Sequence, residues 1–573
     1  MLNSEIAAAL EEIANLLEMS GENVFRIRAY QRAAEAIANL REPVAAVLAR
    51  DPHGVPGVGG GIADHVRELE ATGTTELARQ LHERYPASVV ALLQIPGVGP
   101  KLAARLYVEL GITDLATLEA AATDGRLAAL PRAGAKTAAN ILRSIESFKR
   151  RSGRTPLGVA RPIAEELIAA LVAGSDVQRL TAAGSLRRFQ ETVGDLDFVG
   201  VSDNPKSVMD LLVSLPRVDH VLAEGPTKTS VVLRGGLQLD LRLVEPRDFG
   251  SLLQHFTGNA QHNILLREYA VSRGVKVSEY GLEELASGNV RHFEDEAGVY
   301  EALGLQFIPV ELRQGRDEVR LAARHALQAL LDLDDIQGDL HAHTTWSDGV
   351  ASVEEMLQAA LARGYKYLAI SDHSVGLGVA RGLTPERLRA QAREIRDVAA
   401  RYPSLQLLTA SEVDIRADGS MDYPDEVLAE LDLVIGSIHS AMNQSPDEVT
   451  TRLLRAIENP HVDMIGHPTT RIVGGRDGVE FDRLAVFAAA ARTQTAMEVN
   501  ANPSRLDLSD ADIRLALEAG VKLAINTDAH VQSNLDFMEY GVHTARRGGA
   551  REQDVWNAQP LDRLLDWLRR RAG

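Results

Sequence analysis

The sequence predicts a multidomain chain with an all-α N-terminal region, a mixed α/β domain in the middle and a C-terminal parallel barrel of about seven βα units. Three observations predict it. The 573 residues exceed what one hydrophobic core organises, at ~150 residues per domain. Up to about residue 150 apolar side chains recur at helical spacing, as in Ile6, Leu10, Ile13, Leu17 and again Leu102, Leu106, Leu110, with no strand pattern. From Asp339 onward, short apolar runs alternate with amphipathic stretches.

Composition narrows the function. With 45% hydrophobic and 25% charged residues the chain is ordinary globular protein. It contains no cysteine, so disulfides, thiol nucleophiles and cysteine–zinc sites are excluded, and any transition-metal site must use His, Asp and Glu. The formal charge of -19 opposes nucleic-acid binding by the chain as a whole, so such a role needs local evidence. No apolar run approaches the ~18 residues of a membrane span, and the N-terminus interleaves acids with apolar residues where a secretory leader has a basic and an apolar region. A soluble cytoplasmic protein is expected.

In the N-terminal region, VPGVGGGIA (Val55 to Ala63) and IPGVGPKLA (Ile95 to Ala103) are near copies, and LPRAGAKTA (Leu130 to Ala138) is a degenerate third. A lone PGVG is as readily a plain helix–helix turn. Repeated, it places Gly57 and Gly59, or Gly97 and Gly99 with Lys101 beside them, where backbone N–H groups converge on a phosphate oxygen at the start of the next helix. These motifs resemble the helix-hairpin-helix of DNA-repair proteins, whose contacts are independent of base sequence.

The helical pattern breaks around RRSGRTPLG (Arg150 to Gly158), and DLDFVGV, SVVLRGG and LQLDLRLV then read as strands. Gly184 and Ser185 open a turn, and Gly194 precedes a strand on which Asp195 and Asp197 share one face about 6.6 Å apart. Asp240 stands among apolar residues of another strand, where an unpaired carboxylate would be costly and a metal or an Arg partner is expected. Three carboxylates holding two hard cations about 3.5–4 Å apart meet the requirement for in-line phosphoryl or nucleotidyl transfer. GDLD alone could equally be a turn before a surface strand.

In the C-terminal region GDLHAH, KYLAIS, LQLLTA, LVIGS, VDMIG, AMEVN and KLAIN are the expected strands. His341 and His343 form an H-x-H pair whose imidazoles point the same way, followed by Asp348. SDHS supplies His373, ASEVD Glu412, GSIHS His439, IGHP His467, and NTDAH both Asp528 and His530. Residues at the C-terminal ends of successive barrel strands converge on one mouth. Six of the 16 His fall there beside three carboxylates, a set able to hold two or three Mn²⁺, Zn²⁺ or Fe ions and generate a hydroxide nucleophile for phosphorus.

GSLRRFQETVGDLDF, with LDLRLV and HFTGNAQHN downstream, closely resembles the family X DNA polymerases, gap-filling repair enzymes of the nucleotidyltransferase superfamily. The resemblance covers residues 1 to about 315, including NVFRIRAYQRAAEAI and a thumb-like GVYEALGLQFIPVELR. It implies a helical domain with the first hairpin over 1–85, a fingers-like helical domain over 86–155, a nucleotidyltransferase palm over 156–255, a thumb over 256–315 and a linker over 316–335. It further implies that Asp195, Asp197 and Asp240 bind Mg²⁺ or Mn²⁺ and that Asp240 assists deprotonation of the primer 3′-hydroxyl. Gly184, Ser185, Arg188 and Gly194 would hold the incoming dNTP. Phe256 would lie against its sugar, and Asn263 and Arg267 would face the nascent base pair and template. His255 stands where vertebrate members have Tyr, and Gly61 and His65 occupy the expected lyase lysine positions, so deoxyribose-phosphate lyase activity by that route is not expected.

Residues 336–573 resemble the PHP (polymerase and histidinol phosphatase) domain with all nine ligand positions filled, the third by Asp348. Fused to a family X core, such a domain implies a manganese-dependent 3′→5′ exonuclease, with 3′-phosphatase or abasic-site cleavage as further family activities. The expected partners are gapped or primer–template DNA and dNTPs, and the expected protein is a nucleoid-associated monomer. Two readings of other classes compete: a metallophosphoesterase for small phosphate esters carrying a vestigial polymerase core, and a non-catalytic scaffold binding DNA ends. The charge divides as roughly -2, -5 and -12 over 1–150, 151–315 and 316–573. The acidity therefore concentrates where cations are expected.

Overall fold

The computed structural model describes residues 1–573 apart from 2, 39, 41–42, 53, 56, 96, 131–133, 152 and 572–573. It forms two compact units, residues 1–152 with 475–477, and the remainder.

Among its described residues the first unit's regular elements are all helices, from Asn3–Met19 to Ala135–Arg151, joined by short turns. Helix Asn3–Met19 serves two cores because its apolar residues wrap beyond one stripe. Ile6, Leu10, Ile13 and Leu17 pack with Ile27, Tyr30, Val66 and Leu69, whereas Leu16 and Met19 pack with Tyr85, Val89, Leu106 and Ile141. The hydroxyl of Tyr85 donates to the Met19 carbonyl at 2.9 Å, which ties the second core to the helix end.

The second unit begins with a five-stranded sheet: β1 (Val177–Ala182), β2 (Asp195–Ser202), β3 (Val218–Glu224), β4 (Lys228–Leu233) and β5 (Gln238–Val244), in the order β1-β2-β5-β4-β3. Strands β2 and β5 are parallel, and the other pairs are antiparallel. Alternation in β5 buries Leu239, Leu241 and Leu243 and leaves Asp240 on the opposite face. The buried face packs on helix Leu157–Gly174 through Leu157, Ala160, Leu167 and Leu171. Exposed outer residues of β1 and β3 blur their apolar alternation, so neither strand stands out in the sequence.

A small subdomain follows, with a three-stranded sheet of β6 (Val275–Ser278), β7 (Gly281–Glu284) and β8 (Val290–Arg291) in the order β8-β7-β6. Its buried His262 lies 2.8 Å from Glu318 and 3.0 Å from the Tyr300 hydroxyl. Residues 316–335, expected as a linker, are partly built into their neighbours. Val319 and Ala322 of helix Glu318–Ala322 enter this subdomain's core, and Leu331 enters the barrel core.

The barrel strands β9 (Gly338–Asp339), β10 (Tyr367–Ile370), β11 (Gln406–Asp414), β12 (Leu433–Ser437), β13 (Met464–Ile465), β14 (Ala496–Asn500) and β15 (Leu523–Asn526) run parallel in sequence order. A bridge between Ala342 and Ala529 joins the first and last, nearly closing the barrel. Capping boxes of Ser352 with Glu355 and Ser445 with Glu448 open two of the outer helices. The C-terminal helix Leu561–Arg571 packs Leu564, Trp567 and Leu568 against Tyr367, Leu433, Met464 and Ala496, the first residues of four strands. It plugs the N-terminal end of the barrel, so the open mouth is at the C-terminal end.

No helix among the described residues is long and apolar enough to cross a membrane.

Candidate active sites

Parallel register places Asp197 directly opposite Asp240 on adjacent strands, with Asp195 two residues earlier on the same face. The three carboxylates gather on the two interior strands of the sheet, where the turn from β1 passes over them. At Gly184, φ is 58° and a Cβ would come 2.5 Å from Asp197 Oδ2, so only glycine lets the turn approach the carboxylate this closely. Burial, together with the charges of Asp195 and Asp240, pushes the Asp197 carboxyl up to about 7 against the pull of Arg242 and Arg188. Crowded acids that oppose one another's ionisation fit a site completed by cations.

Ser185 lies in the short helix Gly184–Arg187, with its Oγ buried and without a hydrogen-bond partner. Arg188 donates to the carbonyls of Thr257 and Gly258, and burial beside Arg313 brings its guanidinium down to about 10. Phe256 is covered by the Arg242 guanidinium at 4.4 Å. Asn263 is held by the His255 carbonyl at 2.7 Å and Gln254 at 3.1 Å, while Arg267 is exposed. Gly194 lies immediately before β2, close to Arg154.

In the barrel, strand β9 ends at Asp339, so His341 and His343 flank the closing bridge at Ala342 beyond the strand itself. Their rings are 5.1 Å apart and fully buried. Donor atoms gather in three groups: His343, Asp348, His373 and His530; His341, His343 and Asp528; His373, Glu412 and His439. Shared His343 and His373 link them. His467 adjoins the third group, 2.7 Å from Glu412. Glu412 is the hub, 2.9 Å from His373, 3.2 Å from His439 and 3.5 Å from His341.

Several buried donor atoms here have no hydrogen-bond partner: His341 Nε2, both ring nitrogens of His343, His373 Nδ1, His467 Nδ1 and Glu412 Oε2. Such atoms are costly to leave unsatisfied, and their inward nitrogen and oxygen donor set fits borderline divalent cations. Burial opposes charge at every group, yet Glu498, Glu412 and Asp528 hold the His341 imidazole well above its usual range. Burial together with the neighbouring His530 and His373 lowers that of His343. Despite burial, the surrounding imidazoles keep Glu412 and Asp528 well below the ordinary carboxylate range.

A supporting layer escaped the sequence reading. Glu498, fully buried on β14, lies 2.7 Å from His341 Nδ1 and accepts from the His467 amide and Asn526. Asp414 orients His439 at 2.5 Å. Asp372 accepts from Thr344, Ser347 and Gln391, and Asp339 from His341 N and Thr527. An acid inside the apolar run AMEVN was the available signal, the same signal that singled out Asp240. At the mouth, Arg505 lies 3.7 Å from Asp528.

The two hairpins have matching backbones. Gly57 and Gly97 take φ of 81° and 92°, and Gly59 and Gly99 cap helices Gly60–Thr72 and Pro100–Leu110 without a side-chain cap. Lys101 is exposed beside the second. Pro56, Pro96 and residues 131–133 of the third repeat lie outside the described residues.

A nucleotidyltransferase-like carboxylate triad joined to a barrel whose clustered His, Asp and Glu groups could hold metal ions defines a class of two-domain phosphoester enzymes. Comparisons with known proteins place the chain within it. Helix-hairpin-helix domain models match residues 1–75 and 89–147, the DNA polymerase beta thumb matches 252–314 and the PHP domain matches 339–502. DNA polymerase/3′-5′ exonuclease PolX of Bacillus subtilis (strain 168) is 40% identical over 572 residues, covering 100% of both chains. Probable phosphatases of Thermoanaerobacter sp. (strain X514) and Shewanella sediminis (strain HAW-EB3) are 26% and 28% identical over 40% and 41% of this chain and 94% of their own lengths. The chain belongs to the PHP-domain-bearing family X DNA polymerases.

Proposed function

We propose that this chain fills short DNA gaps by template-directed nucleotidyl transfer at Asp195, Asp197 and Asp240 and trims 3′ ends in the 3′→5′ direction at the barrel centre. The observation that carries the reading is the in-register pair Asp197 and Asp240 under the Gly184–Ser185 turn.

Two Mg²⁺ or Mn²⁺ ions on the triad would activate the primer 3′-oxygen and neutralise the triphosphate. The chain's own residues do the rest. Gly184, Ser185 and Gly194 present a close backbone and hydroxyl surface to the phosphates, Arg188 adds charge, and Asp240 takes the proton of the 3′-hydroxyl. Phe256, steadied by Arg242, sets the plane of the sugar, and Asn263 and Arg267 face the base pair and template. The hairpin amides at Gly57, Gly59, Gly97 and Gly99, with Lys101, hold DNA phosphates without reading bases.

At the barrel, His341, His343, Asp348, His373, Glu412, His439, His467, Asp528 and His530 would hold two or three Mn²⁺, Zn²⁺ or Fe ions. Bound there, such ions would supply Lewis acidity to the scissile phosphoester. Glu498 and Asp414 fix the imidazole orientations, and Arg505 presents a cation to the phosphate of the entering strand.

The reading of a vestigial polymerase core is disfavoured because the triad, Ser185 and Arg188 are all present, and because the alignment at 40% identity spans the polymerase half as well as the barrel. Primer extension on gapped DNA by wild type and by the double variant Asp195→Ala, Asp197→Ala tests it. Incorporation by the first alone is expected, and a wild type inert with both Mg²⁺ and Mn²⁺ would refute it.

A further inference from the structure

The turn that carries Ser185 and Arg188 is braced from outside the palm. Immediately after Arg188, Phe189 adopts φ of 50°, a conformation that bulky residues keep only where their surroundings over-determine it. Its ring stacks on His543 at 3.6 Å between centroids and 15° between planes, and Arg161 covers it at 4.6 Å. Arg547, 1% exposed, donates to the Phe189 carbonyl while pairing with Asp510 at 2.9 Å. Two residues on, Glu191 accepts from Arg471 at 2.7 Å. Leu506, a barrel loop residue, is buried within the palm's own core.

His543, Arg547 and Arg471 all belong to the barrel, and none touches its metal centre. They act on the ring and carbonyl of Phe189 and on the carboxylate of Glu191, at the point where the turn leaves Arg188 and heads for Asp195. Inside the turn, Gln190 N donates to the Ser185 carbonyl at 3.0 Å, so a shift at Phe189 carries directly to Ser185. The Nε of Arg547 is buried without a partner. Its guanidinium therefore serves Phe189 while leaving one of its own donors unsatisfied.

We propose that His543, Arg547 and Arg471 are positioning residues for nucleotidyl transfer, and that the barrel is a structural component of the polymerase site. This rests on the reading of Ser185 and Arg188 as triphosphate contacts. The effect of loosening the brace falls on the dNTP: its phosphates meet a mobile Ser185 and Arg188, while the triad, on strands of the sheet, keeps its place.

Single-nucleotide insertion on a gapped duplex by the full chain tests this, with wild type, Arg547→Met, Arg547→Lys, His543→Ala and Arg471→Met. The dNTP KM should rise about tenfold or more in Arg547→Met and His543→Ala, with kcat changing less, because small displacements of a positioning group are felt strongly. Arg547→Lys, which keeps charge but loses the planar fork, should not restore the wild-type KM. Shortening of a 3′-labelled single strand by the same preparations should stay within about twofold. His543 is partly exposed, so its variant reports on positioning even where Arg547→Met fails to fold. Folded variants with an unchanged dNTP KM, or with parallel losses of insertion and shortening, would overturn the proposal. A wild type that inserts no nucleotide would overturn the polymerase reading, and this proposal with it.

Discussion

Asp197 and Asp240 face one another in exact parallel register across the centre of the palm sheet, and Asp195 adds a third carboxylate on the same face. The sheet pays for this arrangement in mutual repulsion, which burial sharpens and which Arg242 and Arg188 only partly offset. Asp197→Asn should therefore stabilise the metal-free protein, on the order of 1 kcal/mol, while abolishing extension. Loss of several kcal/mol of metal-assisted transition-state stabilisation corresponds to roughly 10³-fold or more in rate. Thermal melting in chelator and single-turnover insertion measure the two effects, and a variant that is destabilised yet active contradicts the assignment.

Glu498 was not predicted, and its position makes a sharp test. It is fully buried, orients His341 through Nδ1 and takes the His467 amide on its other oxygen. Removing such a partner costs about 10–100-fold in metal affinity or activity. Glu498→Gln should lower bound metal and 3′ shortening by that order while extension is unchanged. Undiminished metal content by mass spectrometry would remove Glu498 from the site.

Much of the fold was legible because its signals were local. The barrel strands are short apolar runs, most of them followed within a few residues by His or an acid, and repeated PGVG marks two hairpins. Less visible was whatever depends on tertiary partners. Edge strands β1 and β3 have exposed residues that break the alternation. Val319 and Leu331 find cores on opposite sides of a segment that reads as a linker. Most of the nine ligand candidates lie at or just beyond strand ends, where spacing reveals them, but Asp414, Asp372 and Arg505 gain meaning only when neighbouring strands bring their partners close.

Glu311 gives the pH dependence a definite sign. Burial alone would raise its pKa, but His543 and Arg546, at 2.7 and 2.8 Å, lower the carboxyl to about 2 from 4.5. A depressed acid contributes stability that is complete above its unfolded value and is lost as pH falls from about 4.5 toward 2. The shift corresponds to a contribution on the order of 3 kcal/mol. Glu311→Gln should lower the melting temperature near neutral pH and flatten its dependence in that acid window. An unchanged acid limb would contradict the pairing.

The hairpins predict a salt dependence. Lys101 is exposed at the start of the second hairpin helix, 3.9 Å from Glu18. Lys101→Ala should weaken binding to gapped duplexes of any sequence alike and reduce the slope of log K against log salt by about 0.9 for one phosphate contact. Fluorescence anisotropy across a salt series measures it, and a sequence-dependent loss would contradict backbone-only contact.

On the proposed reading, one chain carries two separate phosphoester sites. One gapped duplex, labelled so that extension and shortening of the same 3′ end are scored together, tests it most directly. Asp195→Ala with Asp197→Ala should shorten without extending, and His341→Ala with His343→Ala should extend without shortening. If either pair removed both activities from folded protein, the two sites would not be independent and the account would fail.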